Sequence, residues 1–379
     1  MRIARSGHRV IAAAITIVGV GAGGFSAAIG SPAYPPTALV KVARTTSIHD
    51  GATAVRRIAR TASTGDSHAS RDGGAIGRFG AYPKRLAFSP DSKVLATSGN
   101  DGAARLWDVA TRRQIHVIKV SGVHVLGVAF SPNGKVLATA DSDGTARLWK
   151  VATRRQIRVI KVGRQRVLGV AFSPGGKLLA TAGQGGSARL WNVATGRQVG
   201  AAMTPGDDSP TQRRPSFVTA VAFSPDGKTL ATHTEFKAQL WNVATHKQTG
   251  RPLGAVNAVD GVFSVAFSPD SKTLATVGNP TIRLWNVAKH QVIGTAMSAG
   301  QTAAYGVAFS PGGKVLVTTD TSGVIRLWDV ATHRRIRQIA PKGRHEFLIE
   351  ALSPNGKILI TTQFDGPAQL WHLNLSSGT

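Results

Sequence analysis

The chain of 379 residues contains no cysteine. This absence excludes disulfides, thiolate metal sites, a cysteine nucleophile and a lipid anchor attached through cysteine. It leaves the redox compartment open, because a chain without cysteine is compatible with any compartment.

Acidic residues are also scarce. Aspartate and glutamate number 19 against 46 lysines and arginines, so the formal net charge is +27. A field of this sign attracts polyanions such as nucleic acid, anionic lipid headgroups or phosphate-bearing wall polymers. The alternative is a basic, well-solvated surface with no partner of that kind. So few carboxylates also give little support to a glycosidase pair.

The first thirty residues have the pattern of an export signal. Arg2, Arg5 and Arg9 precede an uncharged run from Val10 to Gly30. A basic segment before an apolar segment is typical of a secretory signal, with cleavage expected after Ala28 or Ala33. The run is also long enough for a membrane anchor, and the arginines would then predict a cytoplasmic N-terminus. We therefore expect a secreted or membrane-anchored protein, with both alternatives open.

The chain is expected to divide into three parts. Residues 1–30 form the signal peptide or anchor. Residues 31–73 are rich in Ser, Thr, Pro and Arg without a period of 2 or 3.6, which predicts a flexible linker. Residues 74–379 form the folded domain.

An internal repeat fills that domain. Residues 128–149 read VAFSPNGKVLATADSDGTARLW, and residues 170–191 read VAFSPGGKLLATAGQGGSARLW. Proline and glycine at fixed offsets between short β-rich runs predict hairpins, and four strands every ~40–45 residues are typical of a propeller blade. All seven tryptophans stand at one position of the repeat: Trp107, Trp149, Trp191, Trp241, Trp285, Trp328 and Trp371.

The repeat predicts an all-β fold, a seven-bladed β-propeller with four-stranded antiparallel blades. Only HLNLSSGT follows Trp371, which is too short for a turn and a fourth strand. We expect GGAIGRF at 73–79 to supply the missing outer strand of the last blade. Such pairing of an N-terminal strand with the C-terminal blade would close the ring and remove exposed edges.

The segments FSPDGKTLAT and RLWNVAT resemble those of bacterial WD-repeat proteins. The resemblance covers about residues 74–375 and implies a propeller, while it says little about function. The Trp-Asp pair of that family survives only at Trp107 and Trp328, and its Gly-His pair is absent. These departures predict that the family's buried Asp-His-Ser-Trp hydrogen-bond network fails in most blades, so that packing provides the rigidity.

Strand alternation places the first–second and third–fourth turns of every blade on one face. Sixteen cations fall there against five nearby aspartates. Two interpretations stay open: a polyanion-binding face, or solvated turn residues multiplied by the repeat. The cations are Lys93, Arg112, Arg113, Lys135, Arg154, Arg155, Lys177, Arg197, Lys228, Lys247, Lys272, Lys289, Lys314, Arg334, Arg335 and Lys357.

One link between blades is longer than the others. The spacing from Trp191 to Trp241 adds chain at 201–217, on the opposite face. Long loops on rigid scaffolds often carry recognition, which makes Asp207, Asp208, Arg213 and Arg214 a candidate recognition loop. A solvated surface loop is the alternative.

Motifs of catalysis and metal binding are missing. The eleven histidines include no His-Glu-x-x-His, and neither a G-x-S-x-G elbow nor a phosphate-binding G-x-x-x-x-G-K-[ST] occurs. His246, His290 and His333 share one loop position, but loops at the rim of a ring diverge. We therefore predict no catalytic residue, metal, cofactor or small-molecule substrate.

These observations favour a non-catalytic interaction scaffold. Protein partners are expected, and an anionic polymer or lipid surface is a further class. Nucleic acid is disfavoured, because stacking needs exposed aromatic side chains, and the tryptophans are committed to blade positions. A propeller enzyme, such as a hydrolase or lyase with a site at the channel mouth, and the sensor module of a signalling system remain alternatives.

Overall fold

The computed structural model describes residues 17–19, 25–27, 71–76, 83–120, 122–206, 217–234, 237–254, 261–279, 281–300, 302–340, 347–363 and 368–373. Most of the expected leader and linker lies outside these residues. So do Asp207, Asp208, Arg213 and Arg214, and the recognition loop therefore stays a prediction.

The described chain consists of β-strands joined by turns. They form one two-stranded sheet and seven four-stranded antiparallel sheets. In chain order the strands are β1 (Ile17–Gly19), β2 (Phe25–Ala27), β3 (Arg71–Ile76), β4 (Pro83–Phe88), β5 (Val94–Gly99), β6 (Ala103–Asp108), β7 (Gln114–Lys119), β8 (Val125–Phe130), β9 (Val136–Asp141), β10 (Thr145–Lys150), β11 (Gln156–Lys161), β12 (Val167–Phe172), β13 (Leu178–Gly183), β14 (Ala188–Asn192), β15 (Gln198–Met203), β16 (Ala220–Phe223), β17 (Thr229–His233), β18 (Lys237–Asn242), β19 (Gln248–Gly254), β20 (Val262–Phe267), β21 (Thr273–Gly278), β22 (Thr281–Asn286), β23 (Gln291–Ser298), β24 (Ala304–Phe309), β25 (Val315–Asp320), β26 (Ile325–Asp329), β27 (Arg335–Ile339), β28 (Phe347–Leu352), β29 (Ile358–Gln363) and β30 (Ala368–His372).

The four-stranded sheets are the blades of a propeller, numbered 1 to 7 from β4 onward. The first strand of each blade contacts the first strand of both neighbouring blades, and β28 of blade 7 contacts β4 of blade 1. The first strands are therefore innermost and surround an axial channel. The predicted all-β, seven-bladed propeller with four-stranded antiparallel blades is confirmed.

Blade 7 takes its fourth strand from an earlier part of the chain. Its strand order is β28-β29-β30-β3, and Ala75 and Ile76 of β3 lie opposite Gln369 and Ala368 of β30. The strand begins at Arg71, two residues before the stretch expected at 73–79. Residues 77–79 of that stretch lie outside the described part.

The two-stranded sheet belongs to the expected leader. β1 and β2 pair antiparallel; β1 contacts β20, β24 and β28, while β2 contacts β8, β12 and β16. This hairpin lies against the innermost strands of blades 2 to 7. Within the described residues, no helix is long and apolar enough to cross a membrane.

The apolar core is divided into layers between neighbouring blades. Leu106 of blade 1 packs in one cluster with Phe130 and Trp149 of blade 2. Trp107 of blade 1 packs in another with Leu370 of blade 7. Each tryptophan thus lies against the preceding blade, and the same layer joins the last blade to the first.

Each tryptophan also makes a buried hydrogen bond. Its indole Nε1–H donates to a threonine hydroxyl in the second strand of its own blade, at 2.9 to 3.2 Å. These bonds are not the predicted-to-fail Asp-His-Ser-Trp network; they add to the packing that was expected to provide the rigidity, because threonine supplies an acceptor in every blade. The pairs are Trp107–Thr97, Trp149–Thr139, Trp191–Thr181, Trp241–Thr232, Trp285–Thr276, Trp328–Thr318 and Trp371–Thr361.

Replacing Thr181 tests this bond. Thr181→Val keeps the shape of the side chain but leaves the indole N–H of Trp191 buried without an acceptor, which should lower the free energy of unfolding by about 1–3 kcal/mol. Thr181→Ser keeps the hydroxyl and is the matched control. Chemical denaturation measures the unfolding free energy of both variants. Equal losses of unfolding free energy in the two variants would show that the hydrogen bond contributes nothing to stability.

Candidate functional site

The first turn of every blade is a Ser-Pro-x-Gly/Ser-Lys segment held by its own serine. In blade 1 the Ser89 hydroxyl accepts from Val94 N at 2.8 Å and donates to Asp91 Oδ1 at 2.6 Å. The residue before the lysine has positive φ, 61° at Ser92, and is glycine in five of the seven blades. Glycine adopts this conformation without steric cost, so the lysine follows a well-defined turn.

These turns abut one another around the face. A Cβ added to Gly134 in blade 2 would lie 3.5 Å from Cδ of Pro90 in blade 1, and the contact recurs in blades 3, 4 and 6. In blade 1, Ser92 Oγ instead accepts a hydrogen bond from Asn355 N of blade 7 at 3.3 Å. Blade 5 makes the same kind of bond to blade 4 at 3.0 Å. The turns thus support one another from blade to blade.

The third–fourth loops lie beside these turns. The amide of Val109, two residues after Trp107, donates to the carbonyl of Lys93 at 2.9 Å. The same bond occurs in every blade and joins the loop to the turn on one face. The other pairs are Val151–Lys135, Val193–Lys177, Val243–Lys228, Val287–Lys272, Val330–Lys314 and Leu373–Lys357, at 2.8 to 2.9 Å.

Almost all cations of this basic face are exposed. The seven turn lysines, which we call the lysine ring, are Lys93, Lys135, Lys177, Lys228, Lys272, Lys314 and Lys357, and all are exposed. The exposed cations of the third–fourth loops are Arg113, Arg154, Arg155, Arg197, Lys247, Lys289, Arg334 and Arg335. Arg112 differs, because its side chain is half-buried.

The aspartates of the basic face are occupied within their own turns. Burial alone would raise the pKa of Asp91, but hydrogen bonds from Ser89 and from the turn backbone outweigh it and lower the pKa. Hydrogen bonds from Thr111 lower the pKa of Asp108. Hydrogen bonds from Thr332 lower the pKa of Asp329 in the same way. These carboxylates are charged at neutral pH, and their oxygens serve as local acceptors.

Asparagine replaces aspartate after the tryptophan without loss of the loop structure. Asn192 Oδ1 accepts from Thr195 N at 2.9 Å, much as Asp108 Oδ1 accepts from Thr111 N at 2.7 Å. Asn242 and Asn286 cap their loops in the same way. In the sequence these asparagines are departures from the Trp-Asp pair, but their side-chain oxygen marks them as acceptors that can replace aspartate.

The three loop histidines pack between blades. A Cβ added to Gly200, whose φ is +67°, would lie 2.2 Å from Cε1 of His246 in the next blade. Within the described residues, no three metal-ligating side chains cluster. The rings of His246, His290 and His333 lie over Gly200, Gly250 and Gly294, respectively, of the preceding blades.

Ion pairs lie at the opposite end of the blades. Arg147 contacts Asp141 and Asp143, each at 2.7 Å. Burial raises the pKa of Asp141 to about 6 despite the hydrogen bond from the arginine. Asp320 occupies the same position in blade 6; burial would raise its pKa too, but hydrogen bonds from Ser322 and from its arginine outweigh burial and lower it.

The geometry defines a WD-type propeller in which the first turns and the third–fourth loops of all blades share one face. Six segments match the family model described as WD domain, G-beta repeat: residues 82–108, 113–150, 155–192, 210–242, 250–286 and 295–329. They cover more than half of the chain, which therefore belongs to the WD40 family. A search of curated proteins found no match. WD40 propellers are generally non-catalytic scaffolds that bind protein partners.

Asp141→Asn should change how stability depends on pH. The pKa of Asp141 rises from 3.8 when unfolded to about 6 when folded. Ionisation is thus disfavoured by folding, and the wild type loses stability as pH rises from about 4 to 6. From pH 3 to pH 7, the unfolding free energy of the variant minus that of the wild type should therefore increase by roughly 3 kcal/mol.

Asp320→Asn is the matched control. The folded-state pKa of Asp320 is lowered, so its carboxylate stabilises the fold above the unfolded pKa, and this contribution is lost as pH falls through the folded value. The two variants should therefore show opposite trends in denaturation measured across this pH range. Parallel profiles would contradict the assignment of Asp141.

Proposed function

We propose that this protein is a non-catalytic interaction scaffold whose basic face docks on an anionic partner. The lysine ring is the observation that carries the proposal: one exposed lysine per blade stands on turns that abut around the face. Positive charges repeated on a rigid base suit a partner whose negative charges repeat or cover a surface.

The backbone geometry supports this proposal. The bond between Val109 N and Lys93 O, repeated in all seven blades, holds the loop cations beside the lysine ring. Because the turns are fixed before the partner arrives, little backbone ordering would accompany docking. The partner is an acidic protein surface, a phosphate-bearing polymer or an anionic lipid surface, all of which present negative charge to the same face.

Residues 1–30 support an extracytoplasmic location as part of the same proposal. Three arginines precede an uncharged run of the length that a signal peptide or an anchor needs. Mass determination of the native protein tests it: a chain beginning at Ile29 or Tyr34 indicates cleavage. A full-length chain in the membrane fraction indicates an anchor, and a full-length cytoplasmic chain contradicts export.

The basic face can be tested by a matched pair of triple variants. Lys93→Gln, Lys135→Gln and Lys177→Gln together remove three members of the lysine ring. Lys119→Gln, Lys161→Gln and Arg164→Gln remove three exposed cations at the opposite end. Both variants have the same net charge, so any difference in binding reports position.

The ring variant should bind anionic vesicles and a phosphate-bearing polymer roughly a hundredfold more weakly, at about 1 kcal/mol for each lysine. The control variant should bind nearly as the wild type does. Wild-type binding should weaken steeply between about 50 and 200 mM salt, because counterions are released on binding. Equal losses of affinity in both variants, or weak binding that does not change with salt concentration, would refute a docking face.

A further inference from the structure

Arg85 is a fully buried arginine with no partner. Its side chain is 0% exposed and is the largest of the fully buried side chains in the described residues. Its Nε, Nη1 and Nη2 atoms make no hydrogen bond in the described structure. A buried guanidinium is unfavourable unless an anion compensates for its lost hydration.

The side chain starts from the innermost strand of blade 1. Arg85 is the third residue of β4 and lies opposite Ser98 of β5. None of the other blades places a carboxylate at the equivalent position of its innermost strand, so none can neutralise the arginine from there. The equivalent residues are Gly127, Gly169, Ala220, Ser264, Gly306 and Ile349.

Three further polar groups at this level of the ring are buried without partners. They are the hydroxyls of Ser98 and Ser264 and the Nε2 atom of His233. Ser98 lies opposite Arg85, Ser264 is its equivalent in blade 5, and His233 lies opposite Ala220 in blade 4. Buried polar groups are normally hydrogen-bonded, and these four, at one level of the ring, have hydrogen-bonding capacity left for a ligand.

The histidine and the arginine act on each other. Burial is the main cause that lowers the pKa of His233 to about 4; the charge of Arg85 acts in the same direction, and a hydrogen bond with the carbonyl of Thr234 opposes it. Arg85 belongs to blade 1 and His233 to blade 4, so the two side chains come from different parts of the ring. His233 is therefore neutral at pH 7. Burial also lowers the pKa of Arg85, and a bound anion would favour the charged form of the arginine.

We propose that a small oxyanion, a carboxylate or a phosphate, binds in the axial channel at the level of Arg85. It would bind on the side of blade 1, because the β1–β2 hairpin lies against the innermost strands of the other six blades. The planar guanidinium can donate two parallel hydrogen bonds to such a group. Ser98, Ser264 and His233 offer further polar atoms at the same level. β4 begins at the end of the blade opposite the lysine ring, so this site is separate from the basic face.

Calorimetric titration of the full chain with phosphate, and in a second arm with acetate, tests the site. Sodium chloride of equal ionic strength is the blank. The wild type should bind one anion, and Arg85→Met should bind it roughly tenfold more weakly or worse, because a charge-assisted pair is lost. Lys93→Gln removes a cation from the lysine ring and should bind as the wild type does. The tighter arm identifies the ligand class.

Thermal unfolding in chloride provides a second readout. Arg85→Met should be at least as stable as the wild type there, because it removes an unpartnered buried charge. If that variant does not fold, Ser264→Ala should weaken phosphate or acetate binding several-fold while leaving the fold intact. Absence of saturable binding to the wild type, or equal binding by wild type and Arg85→Met, overturns the proposal.

Discussion

The arrangement of the basic face depends on one main-chain hydrogen bond in each blade. The amide two residues after each blade tryptophan donates to the carbonyl of the turn lysine, as Val109 does to Lys93 at 2.9 Å. The tryptophan itself is buried against the preceding blade and bonded to a threonine of its own blade. The carbonyl of the turn lysine is thus hydrogen-bonded to a residue only two positions after a buried tryptophan. Packing of the core therefore fixes the backbone at the lysine.

The same connection explains why the family motif tolerates change here. Lys150 and His372 follow tryptophan in blades 2 and 7, yet the amide-to-carbonyl bond persists in both, because it uses only main-chain atoms. Asparagine caps the loop in blades 3 to 5 because its side-chain oxygen accepts the same bond that aspartate accepts. Main-chain geometry, rather than the Trp-Asp pair, is the invariant feature of these blades.

Repetition made the propeller predictable from sequence. Seven tryptophans at one position, with proline and glycine at fixed offsets, require seven equivalent hairpin units, and those units are the blades. The Trp–Thr bonds were missed because the threonine lies inside an apolar KVLAT run, where its hydroxyl looked incidental. The start of β3 at Arg71 was missed because nothing in a Gly-rich stretch marks a strand end.

Arg85 departs from the repeat at a position that the family motif does not include. Alignment on Phe88 would have revealed arginine where the other blades have glycine, alanine, serine or isoleucine. Its complete burial depends on tertiary structure, and no local pattern encodes that. The two proposed binding regions therefore differ in origin: the basic face comes from what the blades share, and the channel site comes from one departure.

Hydrogen exchange measures the central bond directly. Seven loop amides should exchange slowly and at similar rates, although they lie at the surface: those of Val109, Val151, Val193, Val243, Val287, Val330 and Leu373. Exchange of these amides at the rates of an unfolded chain would contradict the account, because the loops would then be free of the turns and the lysines would have no fixed arrangement.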